Sequence, residues 1–172
     1  MVANEIRGAS GRYILVGVDD SVQAKWALDE GVRLARLTDA RVCLVHVVDV
    51  APVLVPEFAF EEAMRGPGLV AEGWDLVHAL SERIPAGYRG QLLVREGPAD
   101  KEIGLAAQEI GAELLVIGTH GRGLLGRFLL GSTAESVVRH AMCPVVTVGH
   151  APRQDRAEPT PKRDTQASLT GT

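Results

Sequence analysis

The sequence is poor in aromatic residues and in cysteine, and both shortages narrow the kind of protein it encodes. Aromatic residues make up 4% of the 172 residues, whereas hydrophobic residues make up 46%. The core of a single domain must therefore be built mainly from Val, Leu, Ile and Ala. The two cysteines, Cys43 and Cys143, have neither the spacing of a metal site nor that of a disulfide framework. We expect them to be reduced structural thiols.

Signals for membranes and for nucleic acids are also missing. No apolar run approaches the roughly 20 residues that cross a bilayer. Residues 1–10 include Glu5 and have no apolar centre of the kind that marks a secretion signal. The formal net charge is −4, which gives no electrostatic reason to bind nucleic acid or an anionic membrane. We therefore expect a cytoplasmic protein that has neither of these partners.

Short apolar runs alternate along the chain with stretches of helical periodicity. They predict strands at 13–18, 41–48, 91–94, 114–117 and 145–148, and helices at 22–37, 69–84, 100–110 and 132–141. Ser21 is the expected N-cap of the first helix, and Gly111 ends the third helix. The segment 51–68 is rich in Pro and Gly, which predicts a loop with at most a helical turn near 58–64. Strands alternating with helices indicate an α/β fold with a parallel sheet.

The composition also divides the chain. Residues 1–10 form a short N-terminal extension, and residues 11–150 carry all the predicted strands and helices. From Ala151 to Thr172 the chain is polar and has almost no large apolar side chain. This composition predicts a disordered tail, which should be dispensable for folding and for ligand binding.

A glycine-rich segment follows the fourth predicted strand. Gly118-Thr119-His120-Gly121 is separated by nine residues from Gly131-Ser132, where a helix is predicted to begin with Ser132 or Thr133 as its cap. Glycine allows a backbone to turn sharply or to lie directly against a ligand. The free N–H groups and the positive end of a helix favour an anion. Strand, glycine loop and helix start together predict a phosphate-binding frame for a nucleotide.

Asp19 ends the first strand and has two interpretations. In a parallel sheet, ligands bind beyond the carboxyl ends of the strands where the strand order reverses, which here is beside the first strand. Asp19 would then face the same crevice as Gly118. It could instead cap the following helix, but Ser21 is available for that task. We therefore favour a ligand role for Asp19.

With these motifs in hand, the chain resembles the universal stress protein family, which has an adenine-nucleotide α-hydrolase-like fold. The resemblance rests on Val18-Asp19-Asp20-Ser21, on Leu44-Val45-His46-Val47-Val48-Asp49, and on the loop pattern G-x2-G-x9-G-S. It covers roughly residues 11–149, so that 11–150 is expected to be the nucleotide-binding domain. The resemblance implies a three-layer α/β/α, Rossmann-like fold whose five-stranded parallel sheet has the order 3-2-1-4-5.

The ATP-binding branch of the family also implies a set of contacts. Main-chain groups of Val47 would hold adenine, and Asp19 would contact the adenosine. The ribose and phosphates would be lined by Gly118, Gly121, Gly131, Ser132 and Thr133. A divalent ion, Mg²⁺ or Mn²⁺, would be held through phosphate oxygens and water with one carboxylate at most, since no protein metal cage is predicted. The alternatives are cyclic AMP or AMP as ligand, or an interaction module that binds no nucleotide.

Two other motifs fit less well. Gly121–Gly126 matches G-x-G-x-x-G, but that dinucleotide fingerprint belongs after the first strand. A phosphorylatable receiver domain would need an Asp after the third strand and a Lys after the fifth. The chain has Arg95-Glu96 after the third strand and Val148-Gly149 after the fifth. The receiver interpretation therefore fails.

For several other side chains near the phosphate-binding frame, the sequence leaves the role undecided or favours a structural one. His46 is interpreted as a hydrogen-bonded core histidine, and His120 as positional. Arg122 and Arg127 could neutralise phosphates or be exposed, with nothing to choose between the two. Phe58 and Phe60 could cover the base, although loop aromatics more often pack onto the core.

The sequence also bears on whether the protein is an enzyme and on its oligomeric state. The P-loop pattern G-x4-G-K-S/T is absent and no base can be placed near the phosphates, so we expect a binding protein with slow hydrolysis or none. The fifth strand, Val145–Val148, carries no charge or proline to protect a sheet edge. Together with the family resemblance, this predicts a homodimer through that strand.

Overall fold

The architecture was determined from a computed structural model that describes residues 11–48, 56–119 and 130–150, with side chains from residue 67 onward in the middle range. The strands are β1 (Tyr13–Gly17), β2 (Arg41–Val48), β3 (Arg89–Glu96), β4 (Leu114–Gly118) and β5 (Val145–Val148). The helices are α1 (Val22–Thr38), α2 (Pro56–Ser81), α3 (Ala99–Ile110) and α4 (Ser132–His140), with a 3₁₀ turn at Ala86–Tyr88. The predictions for 1–10 and 151–172 lie outside the described residues.

The strands form one parallel sheet in the order β3-β2-β1-β4-β5, as predicted. β1 lies at the centre, with Ile14 paired to both Val42 of β2 and Leu114 of β4. Each connection between successive strands contains a helix and leads to another parallel strand, and the connection from β3 to β4 passes across β2 and β1. All the carboxyl ends of the strands therefore lie at one edge.

Two aliphatic clusters lie on the two faces of the sheet. One cluster joins α1 and α2 to Val16, Leu44 and Val116. The other joins α3 and α4 to Leu15, Val45 and Leu115. Strands that alternate between two buried faces explain why β1, β2 and β4 are almost continuous apolar runs. The fold is thus the predicted three-layer α/β/α arrangement.

The prediction of a loop over 51–68 is wrong from Pro56 onward. The helix α2 begins at Pro56 and continues through Pro67. Proline is well accepted at the start of a helix, but Pro67 removes an internal hydrogen bond. Packing against β2 and β3 outweighs this loss, because α2 buries Val77 and Leu80 there. Trp74 on this helix is 39% exposed, and the neighbouring Gly73 occupies the position against the sheet.

Two smaller observations bear on the expectations from composition. Cys43 and Cys143 are both free, and burial raises the pKa of each thiol. Among the described residues, no helix has both the length and the apolar content needed to cross a membrane.

Candidate functional site

The centre of the carboxyl edge opens where β1 leaves the sheet. β1 pairs with β4 as far as Val16 and Val116, and with β2 as far as Gly17 and Val45. One more backbone bond follows, in which the Val18 N–H donates to the Val45 carbonyl at 2.9 Å. The neighbouring strands continue, β2 to Val48 and β4 to Gly118. This divergence lies where the strand order reverses, and open parallel sheets bind ligands in the crevice beyond the carboxyl ends of the strands at that point.

Asp19 lies in the tight connection from β1 to α1. Its Oδ1 accepts a hydrogen bond from the Ser21 N–H at 3.0 Å. The Ser21 side chain in turn accepts from the Ala24 N–H at 3.1 Å, which confirms Ser21 as the N-cap of α1. Asp19 therefore stabilises the turn that leads into α1, while the helix itself is capped by Ser21 and not by Asp19. Only Oδ1 is used in this way, so Oδ2 is the carboxylate oxygen left for a ligand.

Gly118 is pressed against the first turn of α1. A Cβ at this position would lie 3.0 Å from the Gln23 Cβ, 3.2 Å from the Gln23 carbonyl carbon and 3.4 Å from the Ala24 nitrogen. The sequence interpretation attributed this glycine to a ligand. The structure gives a packing reason that is independent of any ligand, because α1 must begin directly above the end of β4.

The N-terminus of α4 reaches the same edge. The Gly131 N–H donates to the Thr119 carbonyl at 2.8 Å, so the two ends of segment 120–130 are held together. The prediction that Ser132 or Thr133 caps α4 is wrong: the N-cap is Gly131, which has no side chain that could make a capping hydrogen bond. A helix leaves its first N–H groups without intrahelical partners. The first turn at Ser132 and Thr133, whose side chains are exposed, therefore presents N–H groups that have no partner within the helix.

The backbone of Val47 faces the side of β2 from which β1 has departed. The Val45 carbonyl points to β1, where it accepts from the Val18 N–H. The Val48 carbonyl points the other way, where it accepts from the Gly97 N–H at 3.0 Å, beyond the end of β3. Because successive residues of a strand alternate in direction, the N–H and C=O of Val47 point toward β1. The β1–β2 ladder has already ended at that level.

The structure tests one of the side-chain interpretations made near the glycine loop, that of His46. His46 is 8% exposed, and its Nδ1 lies 2.8 Å from the Val18 carbonyl, which confirms a hydrogen-bonded core histidine. Gly121, His120, Arg122 and Arg127 lie outside the described residues, as do the side chains of Phe58 and Phe60. The carboxyl edge of the sheet thus carries six of the seven predicted contact residues: Asp19, Val47, Gly118, Gly131, Ser132 and Thr133.

A polar cluster that the sequence analysis missed joins α3 to α4. Ser136 Oγ donates to Asp100 Oδ2 at 2.5 Å, and this hydrogen bond lowers the pKa of the Asp100 carboxyl. His140 Nδ1 lies 2.8 Å from the Ser136 carbonyl, to which it must donate. The serine proton is therefore committed to the carboxylate rather than to the histidine, which is not the arrangement of a nucleophilic triad. Because Asp100 and Ser136 are far apart in the sequence, no local sequence pattern predicted this contact.

No group of three or more His, Cys, Asp or Glu side chains converges on a metal-sized site in the part of the chain that the structure describes. Within the described ranges, the carboxyl edge of the sheet therefore offers no protein cage for a cation.

Comparisons with known proteins agree on one family. The family model for the universal stress protein family matches residues 12–149. A universal stress protein of Staphylococcus haemolyticus is 30% identical over 152 residues, which cover 80% of this chain and 84% of that protein. The structure of universal stress protein UspA from Lactobacillus plantarum has a TM-score of 0.69 at 26% identity, covering 81% of this chain and 99% of that one.

Two further solved structures are universal stress proteins that hold nucleotides. One, in complex with cAMP, has a TM-score of 0.58 at 22% identity and covers 82% of this chain and 98% of its own. The other, from Archaeoglobus fulgidus and in complex with dAMP, has a TM-score of 0.53 at 24% identity and covers 80% of this chain and 97% of its own. At this level of identity the likeness establishes a shared fold.

Proposed function

The chain belongs to the universal stress protein family, and we propose that it is a stress-response regulatory protein that binds an adenine nucleotide, with ATP as the favoured ligand. The observation that carries the proposal is the uncapped first turn of α4 at the edge where β1 leaves the sheet. Free N–H groups and a positive helix end favour phosphate. The cAMP and dAMP complexes of two proteins of the same fold support an adenine nucleotide.

The described residues assign a part to each portion of the ligand. The Val47 main chain, which faces the crevice, would hold the base. Asp19 would use its free Oδ2 for the ribose hydroxyls, since Oδ1 already accepts from Ser21. The phosphates would extend to the first turn of α4 at Ser132 and Thr133, beside Gly131. A Mg²⁺ or Mn²⁺ ion would accompany the phosphates, bound mainly by their oxygens.

A different adenine nucleotide is the main alternative. The same first turn of α4 would accept the single phosphate of AMP or the cyclic phosphate of cyclic AMP, and the solved cAMP and dAMP complexes favour keeping both in the test. A competition experiment decides between these nucleotides. If AMP or cyclic AMP displaces bound ATP at a lower concentration than unlabelled ATP does, that nucleotide would replace ATP as the favoured ligand.

Hydrolysis is proposed to be slow or absent. Phosphoryl transfer needs a group that orients the attacking water and a cation on the transferring phosphate. Two carboxylates on and beside α4 are engaged in other contacts, because Asp100 accepts from Ser136 and Glu135 pairs with Arg139 at 2.6 Å. A steady-state turnover of about 1 s⁻¹ or faster would show that a catalytic group exists.

We also propose a homodimer through β5. β5 is an edge strand of the sheet, and Val146 on it is only half-buried. An apolar edge with unpaired backbone groups is prone to pair with another strand, and a second copy of the same strand supplies a two-fold partner.

Nucleotide binding is tested first on the protein as purified. Mass spectrometry of material released by denaturation should detect an adenine nucleotide, and calorimetry on ligand-free protein should detect ATP binding. Gly131→Val should weaken ATP binding by about tenfold or more, since a branched side chain would stand over the free N–H groups and each lost charge-assisted hydrogen bond is costly. The Gly131 backbone, at φ −60° and ψ 149°, accepts any residue.

The matched control is Gly87→Val, which has open space around it and lies in the 3₁₀ turn before β3, at the opposite edge of the sheet. This variant should bind ATP as the wild type does. Equal affinity in wild type and Gly131→Val, or no nucleotide binding by the wild type at all, would overturn the proposal.

A further inference from the structure

The Val18 carbonyl is the last backbone acceptor of β1, and its partner is a side chain. His46 Nδ1 lies 2.8 Å from this oxygen. A carbonyl oxygen can only accept a hydrogen bond. Nδ1 must therefore carry the proton, which fixes the tautomer of a neutral His46 ring with its hydrogen on Nδ1.

A continuing parallel ladder would have used a different donor. After the Val18 N–H donates to Val45, the regular pattern has the Val47 N–H donate to the Val18 carbonyl. The ladder instead stops at the Gly17–Val45 pair, and the carbonyl that Val47 would have used is taken by the neighbouring imidazole. His46 thus substitutes for one rung of the ladder and leaves the Val47 N–H facing the crevice.

The helix α2 holds the imidazole in this position. A Cβ at Gly73 of α2 would lie 2.9 Å from His46 Cδ2 and 3.1 Å from Val94 Cγ1. The ring is therefore packed closely between its own strand and the helix backbone, and is 8% exposed. A ring held on one side by Gly73 and on another by a hydrogen bond has little freedom to rotate.

We propose that His46 is a positioning residue for base recognition: by capturing the Val18 carbonyl it keeps both main-chain groups of Val47 free to bind the ligand's base. This inference rests on the proposed nucleotide-binding function. A peptide offering one N–H and one C=O on the same side matches adenine, whose N1 accepts and whose N6 amino group donates. Guanine presents the opposite pattern, a donor at N1 and an acceptor at O6, so each of its groups would meet a like group.

Two substitutions separate the hydrogen bond from the volume of the side chain. The amide nitrogen of Asn occupies nearly the position of the His Nδ1, so His46→Asn keeps a donor for Val18, whereas His46→Leu has similar size and no donor. We expect His46→Leu to lose about tenfold or more in ATP affinity, the cost of a peptide group that is no longer available. Its preference for ATP over GTP should fall with it, and His46→Asn should retain most of both. A merely structural role would lower stability without changing the ATP-to-GTP ratio.

Amide hydrogen exchange of the ligand-free protein tests the mechanism without any nucleotide. In the wild type the Val47 amide should exchange much faster than the Val45 amide, because it lacks a ladder partner. In His46→Leu the Val18 carbonyl becomes available, and the Val47 amide should become protected. A Val47 amide that is already protected in the wild type, or one that stays unprotected in His46→Leu, would overturn the role of His46.

The tautomer can be read from the wild type alone, so the test stands even if a variant fails to fold. A long-range ¹H–¹⁵N spectrum should show His46 protonated at Nδ1, and protonation only at Nε2 would overturn the proposal. The experiments distinguish a failure of the proposed nucleotide-binding function from a failure of the proposed role of His46. A wild type that binds no nucleotide overturns the proposed function, while the exchange and tautomer results still decide whether His46 ends the ladder.

Discussion

Replacing Gly118 by alanine should destabilise the fold whether or not a nucleotide is present. The added methyl group would lie 3.0 Å from Gln23 Cβ and 3.2 Å from the Gln23 carbonyl carbon, whereas carbon atoms pack favourably at about 3.5–4.0 Å. The second contact is with backbone, so a side-chain rotation cannot relieve it. The first turn of α1 must shift by a few tenths of an ångström.

The magnitude follows from two opposing effects. Overpacking of this kind costs about 1–3 kcal/mol, while replacing glycine by alanine recovers about 0.4–1 kcal/mol through the entropy of the unfolded chain. The net loss should be about 1–2 kcal/mol, which lowers the Tm by roughly 2–8 °C for a chain of this length.

A matched substitution in α3 should act in the opposite direction. Gly104 lies in the interior of α3, and a Cβ there would meet nothing within 4 Å. Gly104→Ala should therefore raise stability by about 0.5–1 kcal/mol, the ordinary helix preference for alanine. Urea denaturation and calorimetry of both variants without ligand give the comparison. A Gly118→Ala protein as stable as the wild type would refute the packing explanation for this glycine.

Three further outcomes are expected. Ser136→Ala should raise the pKa of Asp100 toward its ordinary value of about 3.9, measured by carboxyl NMR titration; an unchanged pKa would contradict the hydrogen bond. Because the folded pKa of Asp100 is depressed, the stability that Ser136 adds is present above the unfolded pKa and is lost as the pH falls through the folded pKa. Val146→Lys should convert the dimer to a monomer by light scattering, whereas Leu69→Lys, on α2 and away from β5, should not; a wild-type monomer at micromolar concentration would remove this interface. Truncation after His150 should leave the Tm and nucleotide affinity unchanged, and a loss of several degrees would show that 151–172 contributes to the folded domain.

The fold could be predicted from sequence because buried parallel strands are continuous apolar runs. β2 and β5 were predicted with both ends correct. β3 was predicted too short, since its ends are charged. Arg89 pairs with Glu82, and Arg95 with Glu109. An edge strand has space for such pairs beside its last residues, so charge marks the limit of burial there and not the limit of the strand.

The candidate site was predicted less completely, and the reason is physical. A glycine in the sequence does not show what approaches it. Gly118 meets the first turn of α1, a contact between segments distant in sequence. The N-cap of α4 was predicted wrongly for the same reason, a contact between segments that the sequence does not reveal. Ser132 is a residue type that favours the N-cap position, but the bond between the Gly131 N–H and the Thr119 carbonyl sets the start of the helix one residue earlier.

One geometric event accounts for three residues that a motif-based interpretation treats separately. β1 leaves the sheet at Val18 while β2 and β4 continue. Its last carbonyl then needs a donor, which His46 supplies. The chain must turn into α1 within three residues, and Asp19 stabilises that turn by accepting from Ser21. The helix consequently begins over the end of β4, where a side chain at position 118 would crowd the first turn of α1. His46 and Asp19 thus stabilise the point at which β1 leaves the sheet, and Gly118 allows α1 to begin there. In the proposed function, a nucleotide would meet main-chain groups that these contacts already hold in place, an arrangement that lowers the ordering cost of binding.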